Sequence, residues 1–261
     1  MLRIQVTAFC AITVFFSALV VPADAAWVAY NDFMGTPMAN NTNYGSTSPA
    51  QGFTHSGLLI NYATGLPLAT ATLSIGPRTP SGGNSSDQPG NMPNSGTPAY
   101  ILFNGFVNAN RSYDSKDASP SEGIVLLTGL DSTKTYDVAL LTNRTGGDDR
   151  PTRSVISDVT SFINIGDPST KSTTNVTDDT ITIPFDNNVN GYLHRWTSIV
   201  PGGDGDIQIL LTTVGGDGGN DWNAIRIEEL GGAAVPEPST WALGLLGLAG
   251  LGVVAWKKRR K

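Results

Sequence analysis

Apolar residues between positions 27 and 230 come in short runs, and none of these runs repeats with the 3.6-residue period of a buried helix face. Clusters of Gly, Ser, Thr, Asn and Asp separate the runs and favour turns. A chain patterned this way hides its apolar side chains by laying short strands side by side. The runs fall at 27–33, 58–62, 69–75, 100–107, 124–127, 136–141, 155–163, 180–185, 192–199, 207–212 and 222–227. About eleven strands of this kind predict an all-β fold, an antiparallel β-sandwich of jelly-roll-like architecture.

Alternation sharpens the expectation. Ile181, Ile183 and Phe185 share one face, with Thr182 and Pro184 on the other, and Pro184 places that strand at a sheet edge. In 69–75 the same period turns Ala and Leu inward and the hydroxyls outward, so one face is wet. Residues 81–95 lack apolar periodicity and are rich in turn formers, which reads as a long surface loop or a disordered insertion. A single domain over 26–230 fits this count better than two small ones.

The ends follow a different logic. Arg3, the apolar stretch 6–21 and the small-residue segment Pro22-Ala23-Asp24-Ala25 have the order of a secretory signal peptide, a helix over residues 1–25. Cleavage by signal peptidase is expected between Ala25 and Ala26, with Ala23 and Ala25 as the small recognition residues. Cys10, the only cysteine, lies in the removed segment, so the exported domain has neither a disulfide nor a thiolate metal site. At the other end a linker, 231–238, carries Val235, Pro236, Glu237 and Pro238. The uncharged stretch 239–256 and the cations Lys257, Lys258, Arg259, Arg260 and Lys261 follow. Eighteen residues of helix rise about 27 Å, close to the roughly 30 Å hydrocarbon core. Trp241 and Trp256 stand where interfacial aromatics prefer to sit. This predicts a single transmembrane helix, with the basic tail, 257–261, on the cytoplasmic side and the body across the membrane.

The Pro-Glu-Pro, apolar and basic order over 235–261 resembles the tail of PEP-CTERM proteins. That resemblance implies recognition by the membrane protease exosortase, cleavage near Pro236-Glu237-Pro238, and release or attachment at the cell envelope, cell surface or extracellular matrix. Gly244, Gly247, Gly250 and Gly252 form no GxxxG pair, so helix dimerisation has little support. Within the body, residues 129–138 are similar to the turn-to-strand entry of many extracellular sandwiches, the tyrosine corner, in which Leu130 packs inward and Tyr136 begins the next strand. Residues 221–227 resemble the closing strand of galactose-binding-like jelly rolls. A fibronectin-like sandwich is the alternative fold.

Charge narrows the partners. The net charge is -6, to which the five tail cations contribute +5, so the rest of the chain carries -11. Such a body repels phosphate backbones, which excludes nucleic acid and leaves neutral glycans, cations or proteins. His55 and His194 are the only histidines and sit in no zinc-ligand spacing. No nucleophile elbow, phosphate loop or dinucleotide turn is present. The loops 202–206 and 215–221 set hard oxygens on flexible backbone, making Asp204, Asp206, Asp217 and Asp221 candidate ligands for a structural calcium. Turn formation alone also accounts for them, and no other cofactor is expected. Tyr44, Tyr113, Tyr192, Trp196 and Trp222 are available either to stack on sugar rings or to fill the core. Asn40, Asn84, Asn110, Asn143 and Asn175 each begin a glycosylation sequon, as a chain rich in Asn, Ser and Thr does by chance. The expectation is a non-enzymatic, exported envelope or matrix protein whose sandwich binds polysaccharide or other surface proteins. The alternative is a secreted carbohydrate-active enzyme using paired carboxylates.

Overall fold

Alternation in the sequence becomes sidedness in the fold. Ile181 and Ile183 are fully buried with Thr182 between them half-exposed, and Ala71, Leu73 and Ile75 point inward between Thr70, Thr72 and Ser74. The computed structural model describes residues 26–33, 38–44, 55–77, 84–116, 122–143, 151–165, 179–183, 187–213 and 220–231. The chain divides into two units, Ala26–Leu230 and a second made of Met1–Ala25 with Gly231–Lys261. The expected signal helix, Pro184, Phe185, the linker and the 239–256 helix lie outside the described residues, among which no helix is long and apolar enough to cross a membrane.

The strands are β1 (Val28–Asp32), β2 (His55–Asn61), β3 (Leu66–Pro77), β4 (Asn84–Pro89), β5 (Arg111–Lys116), β6 (Glu122–Thr128) and β7 (Thr135–Leu141). They continue as β8 (Thr152–Ser157), β9 (Val159–Asn164), β10 (Thr180–Ile183), β11 (His194–Pro201), β12 (Ile207–Thr213), β13 (Asn220–Trp222) and β14 (Ala224–Leu230). A five-stranded sheet, β1-β14-β7-β11-β9, faces a six-stranded sheet, β10-β8-β12-β6-β3-β2. A small third sheet runs β13-β5-β4. Among the described residues every strand pairing is antiparallel, and β10 lies at a sheet edge. Leu73, Leu127 and Ile209 from one sheet meet Val138, Leu140, Trp196 and Ile227 from the other in a single apolar core. Trp222 closes one end of it against Phe33, with ring centroids 5.8 Å apart. Gly123 lies under that indole, and a Cβ there would overlap the ring.

The pattern misled in several places, and β5, at Arg111–Lys116, falls in none of the expected runs. Residues 100–107, expected as a strand, instead form the helix α1 (Pro98–Phe103) and its exit. Thr97 caps that helix by accepting from Tyr100 N through its Oγ1, and Pro98 occupies the first turn, where a missing N–H costs nothing. Ala99 and Phe103 then pack on Ala139, Leu141 and Ala224, which covers part of the outer face of the five-stranded sheet. Residues 81–95, expected as loop, contain β4. Backbone hydrogen bonds to β5 hold it, and these need no apolar alternation. The expected strand 155–163 breaks in two at Asp158, whose φ of +59° turns the chain from the six-stranded sheet into the five-stranded one.

A bulge in β11 corrects an apparent parity error. Trp196 pairs with Val138 and Ile199 with Tyr136, so two residues, Thr197 and Ser198, stand opposite Asp137 alone. Both Trp196 and Ile199 therefore reach the core, at the cost of a positive φ at Ser198.

The tyrosine corner is present. Tyr136 is buried beside Leu130, and its hydroxyl accepts from Asp131 N at 3.0 Å. Burial is the main cause that pushes the Tyr136 phenol up to about 12. Removing the hydroxyl in Tyr136→Phe is expected to lower stability by about 1 kcal/mol, measured by denaturant unfolding at neutral pH. Because the folded state holds this proton more tightly than the unfolded chain, the associated stability is complete below about pH 10 and is lost as pH rises toward 12. The alkaline arm of the stability profile should accordingly be shallower in Tyr136→Phe than in wild type.

Candidate functional site

Strand polarity gives the sandwich two unlike ends. At one end the β8–β9 turn, the β11–β12 turn and the β6–β7 turn meet. Gly202 N donates to Asp158 O at 3.0 Å, and Leu130 N to Gly205 O at 3.0 Å. Gly205 has a φ of +82° and lies so close to Leu130 O that no side chain fits there. This meeting brings carboxylate oxygens of Asp158, Asp204 and Asp206 within 4.8 Å of one another. Asp204 and Asp206 were legible as a pair in the sequence; Asp158, supplied by another turn, was not. Asp217 lies outside the described residues. Asp221 does not join the group: it is buried on β13, where it accepts from Ser112 Oγ at 2.9 Å. Burial, then the neighbouring Asp204 charge, raises the Asp206 carboxyl above its ordinary value, with a smaller push from Asp158.

The opposite end is knitted by asparagine side chains. Asn223 Oδ1 accepts from Asn143 N at 2.6 Å, Asn143 Oδ1 accepts from Asn187 N at 3.1 Å, and Asn187 Oδ1 accepts from Tyr192 N at 2.8 Å. Asn143 Nδ2 donates to Asn91 O and Asn188 Oδ1, both at 2.9 Å, so this sequon is consumed by the fold. His194 is fully buried between the hydroxyls of Thr142 and Ser154, as a structural residue. His55 opens β2. Trp196 and Trp222 are core residues, Tyr192 and Tyr44 pack against the core, and the Tyr113 side chain lies outside the described residues.

The third polar region lies on the outer face of the five-stranded sheet, beyond the part that α1 covers. Arg226 on β14 and Arg195 on β11 flank Ala139 in one register row, with Tyr30 of β1 next to Arg226. Glu228 and Asp137 are cross-strand partners two residues along. Arg195 grips Asp137 through Nε at 3.1 Å and Nη2 at 2.7 Å. Arg226 donates from Nη2 to Glu228 Oε2 at 2.7 Å and from Nε to the Tyr30 hydroxyl at 3.3 Å. Asp137 and Arg226 side chains are only 3% and 10% exposed, whereas Arg195 and Glu228 retain 31% and 30%. Stacked on Tyr30 is Phe106, with centroids 4.9 Å apart, and Tyr62 meets both rings edge-on. None of these four charged residues stands out in the sequence. The available signal was parity, since Asp137 falls between the inward Tyr136 and Val138, and Arg226 between Ile225 and Ile227.

Residues 234–260 match the model of the PEP-CTERM protein-sorting motif, so the chain carries that sorting signal and is an exported, envelope-sorted protein. No curated protein matches the chain. Among solved structures it is similar to the enzymatically active domain of tailspike protein 4 of bacteriophage CBA120, at 12% identity and a TM-score of 0.32, over 62% of this chain and 20% of that one. The chain thus spans about a fifth of the tailspike chain's length. It is also similar to TmCBM61, solved in complex with β-1,4-galactotriose, at 9% identity and a TM-score of 0.33, over 60% of this chain and 88% of that one. A family 35 carbohydrate binding module from Clostridium thermocellum is similar at 10% identity and a TM-score of 0.27, over 55% of this chain and 90% of that one.

The acidic end yields a signed expectation. A raised Asp206 carboxyl binds its proton more tightly in the folded state, so the ionised form costs stability at neutral pH and the cost fades as pH falls into the carboxylate range. With divalent cations chelated, Asp206→Asn should unfold at a slightly higher midpoint than wild type at pH 7. The gain should stay within about 0.5 kcal/mol because solvent screens the group, and it should fade as pH falls and vanish well below the ordinary Asp value of about 3.9.

Proposed function

We propose that this chain is an envelope or extracellular-matrix protein. After export and signal-peptidase cleavage, its tail spans the membrane once and is cut by an exosortase-type protease. Its sandwich then binds polysaccharide without cleaving it. The observation that carries this reading is the sorting motif at 234–260. Within it Pro236-Glu237-Pro238 precede an uncharged stretch of spanning length and five consecutive cations. A plain membrane anchor uses the apolar stretch and the cations but has no need of the Pro-Glu-Pro triplet.

Support for the binding role comes from the body. Its acidic charge disfavours polyanions, and its five-stranded sheet presents guanidinium donors and carboxylate acceptors beside aromatic rings, the mixture that polyhydroxylated ligands need. Cleavage by paired carboxylates is the rival. It predicts release of reducing ends from a polysaccharide incubated with the purified protein, whereas the binding reading predicts none.

Intact mass spectrometry of protein recovered from envelope and medium tests the sorting. Wild-type protein should lack both terminal segments, and a variant with Pro236, Glu237 and Pro238 all replaced by Ala should keep its tail. If both retain residues 239–261, the tail is a permanent anchor and the processing step falls.

A second reading concerns a structural cation, favoured by the convergence of Asp158 with Asp204 and Asp206. Three carboxylates this close repel one another, and a calcium ion would remove that repulsion while tying three turns together. Calcium at about 100 times its dissociation constant should then add about 2.7 kcal/mol to unfolding stability. That gain should be lost with chelator and in Asp158→Asn. An unfolding midpoint indifferent to calcium would remove the ion from this account.

A further inference from the structure

We infer that the outer face of the five-stranded sheet, along the row Tyr30, Arg226, Ala139 and Arg195 with Glu228 and Asp137 beside it, is a binding site for neutral polysaccharide. The inference rests on the polysaccharide-binding reading above and adds to it a place and a ligand class.

Three observations meet there. The first is composition. Two guanidinium groups and two carboxylates interlock across three neighbouring strands, so the patch is locally neutral in a body that is otherwise strongly acidic. Sugar hydroxyls both donate and accept, and vicinal hydroxyls match a surface where donors and acceptors alternate at side-chain spacing. A uronate or sulfate group would instead compete with Asp137 and Glu228 for guanidinium groups that these already hold, and would approach against the charge of the body.

The second observation is an unmet bond. Arg226 Nη1 is buried and has no hydrogen-bond partner. Its closest carboxylate oxygen, Asp137 Oδ1, is 3.8 Å away, too far for a hydrogen bond. This donor lies inside the charged group, between residues whose own rims, Arg195 and Glu228, remain about one third exposed. A buried guanidinium donor left unpaired costs free energy, and the part-exposed Arg195 and Glu228 beside it are the groups that a ligand's hydroxyls meet.

The third is the adjoining aromatic group. The Tyr30 ring stacks on Phe106 and its hydroxyl accepts from Arg226 Nε, so the apolar and ionic parts adjoin. Tyr62 and Phe106 are half-buried and border the row on the β1 side. Pyranose rings recognised by proteins pair a CH-rich face with aromatic carbon and their hydroxyl edges with charged side chains, and both kinds of group are adjacent here.

The test is affinity electrophoresis of the protein as recovered from cells, through gels holding neutral polymers (glucan, galactan, mannan, xylan) or an anionic one (polygalacturonate). Wild type should be retarded by at least one neutral polymer. Arg195→Ala and Glu228→Ala should weaken that retardation about tenfold or more in apparent dissociation constant. Arg153→Ala, an exposed position on β8 of the opposite sheet, should leave it unchanged. Thermal unfolding of each variant separates lost binding from lost structure. Neutral-polymer binding that survives in folded Arg195→Ala and Glu228→Ala overturns this site but leaves polysaccharide binding standing. Retardation by polygalacturonate alone overturns the neutral ligand class. Absence of retardation by every polymer overturns both the site and the reading beneath it.

Discussion

The apolar contact between the inner faces of two sheets holds this body together, because no cysteine follows Cys10 and no covalent tie is available to it. Each irregularity in the sandwich serves that contact. The bulge in β11 recovers Ile199 for the core, the left-handed residue Asp158 moves the chain from one sheet to the other, and Gly123 leaves room for the Trp222 indole. Even a polar defect is tolerated for it. The Trp196 Nε1 donor is buried without an acceptor, a loss of about 1–3 kcal/mol. Burying the ring gains about 4–6 kcal/mol, from 150–250 Å² at about 25 cal/mol per Å².

What the sequence reveals follows from the range over which each force acts. Period-two alternation is local, so 69–75 and 180–183 announced both their conformation and their inward face. The helix α1 escaped because its apolar run has no clear period, and its signal, Thr97 followed by Pro98, is a cap rather than a face. β4 escaped because a strand held through backbone bonds to β5 needs no apolar side chains. Register was beyond reach altogether. Arg195 and Asp137 are 58 positions apart, and only the pairing of β11 with β7 makes them neighbours. The same holds for the acidic group, whose two members in one loop were plain and whose third comes from a turn that fixed sheet order alone brings close.

The two ends of the sandwich solve opposite problems with the same kinds of short polar residue. Asparagine carries a donor and an acceptor on one side chain, so Asn143, Asn187 and Asn223 can satisfy the backbone of several loops at once and become buried in doing so. Aspartate only accepts. Asp158, Asp204 and Asp206 together raise the local negative potential, which adds to burial, the larger cause, in displacing the Asp206 carboxyl upward. One end is therefore closed by its hydrogen bonds, while the other gathers three carboxylates within 4.8 Å of one another.

The sheet face between these ends presents a choice that stability alone does not explain. The outer side of the same sheet is covered apolarly where Ala139, Leu141 and Ala224 receive Ala99 and Phe103. Continuing that solution would have been straightforward, since replacing interlocked ions by well-packed apolar groups is often neutral or stabilising by about 1–4 kcal/mol. Instead the row continues into Arg226, Asp137 and Arg195, two of them nearly enclosed, with one guanidinium nitrogen left without a hydrogen bond. Desolvating these groups in advance fixes their geometry, and a ligand that meets them pays little for ordering side chains at the moment of binding. A rigid, locally neutral array of donors and acceptors is a poor way to hold a sheet closed. For the polysaccharide-binding role proposed above, rigidity and neutrality are the properties required.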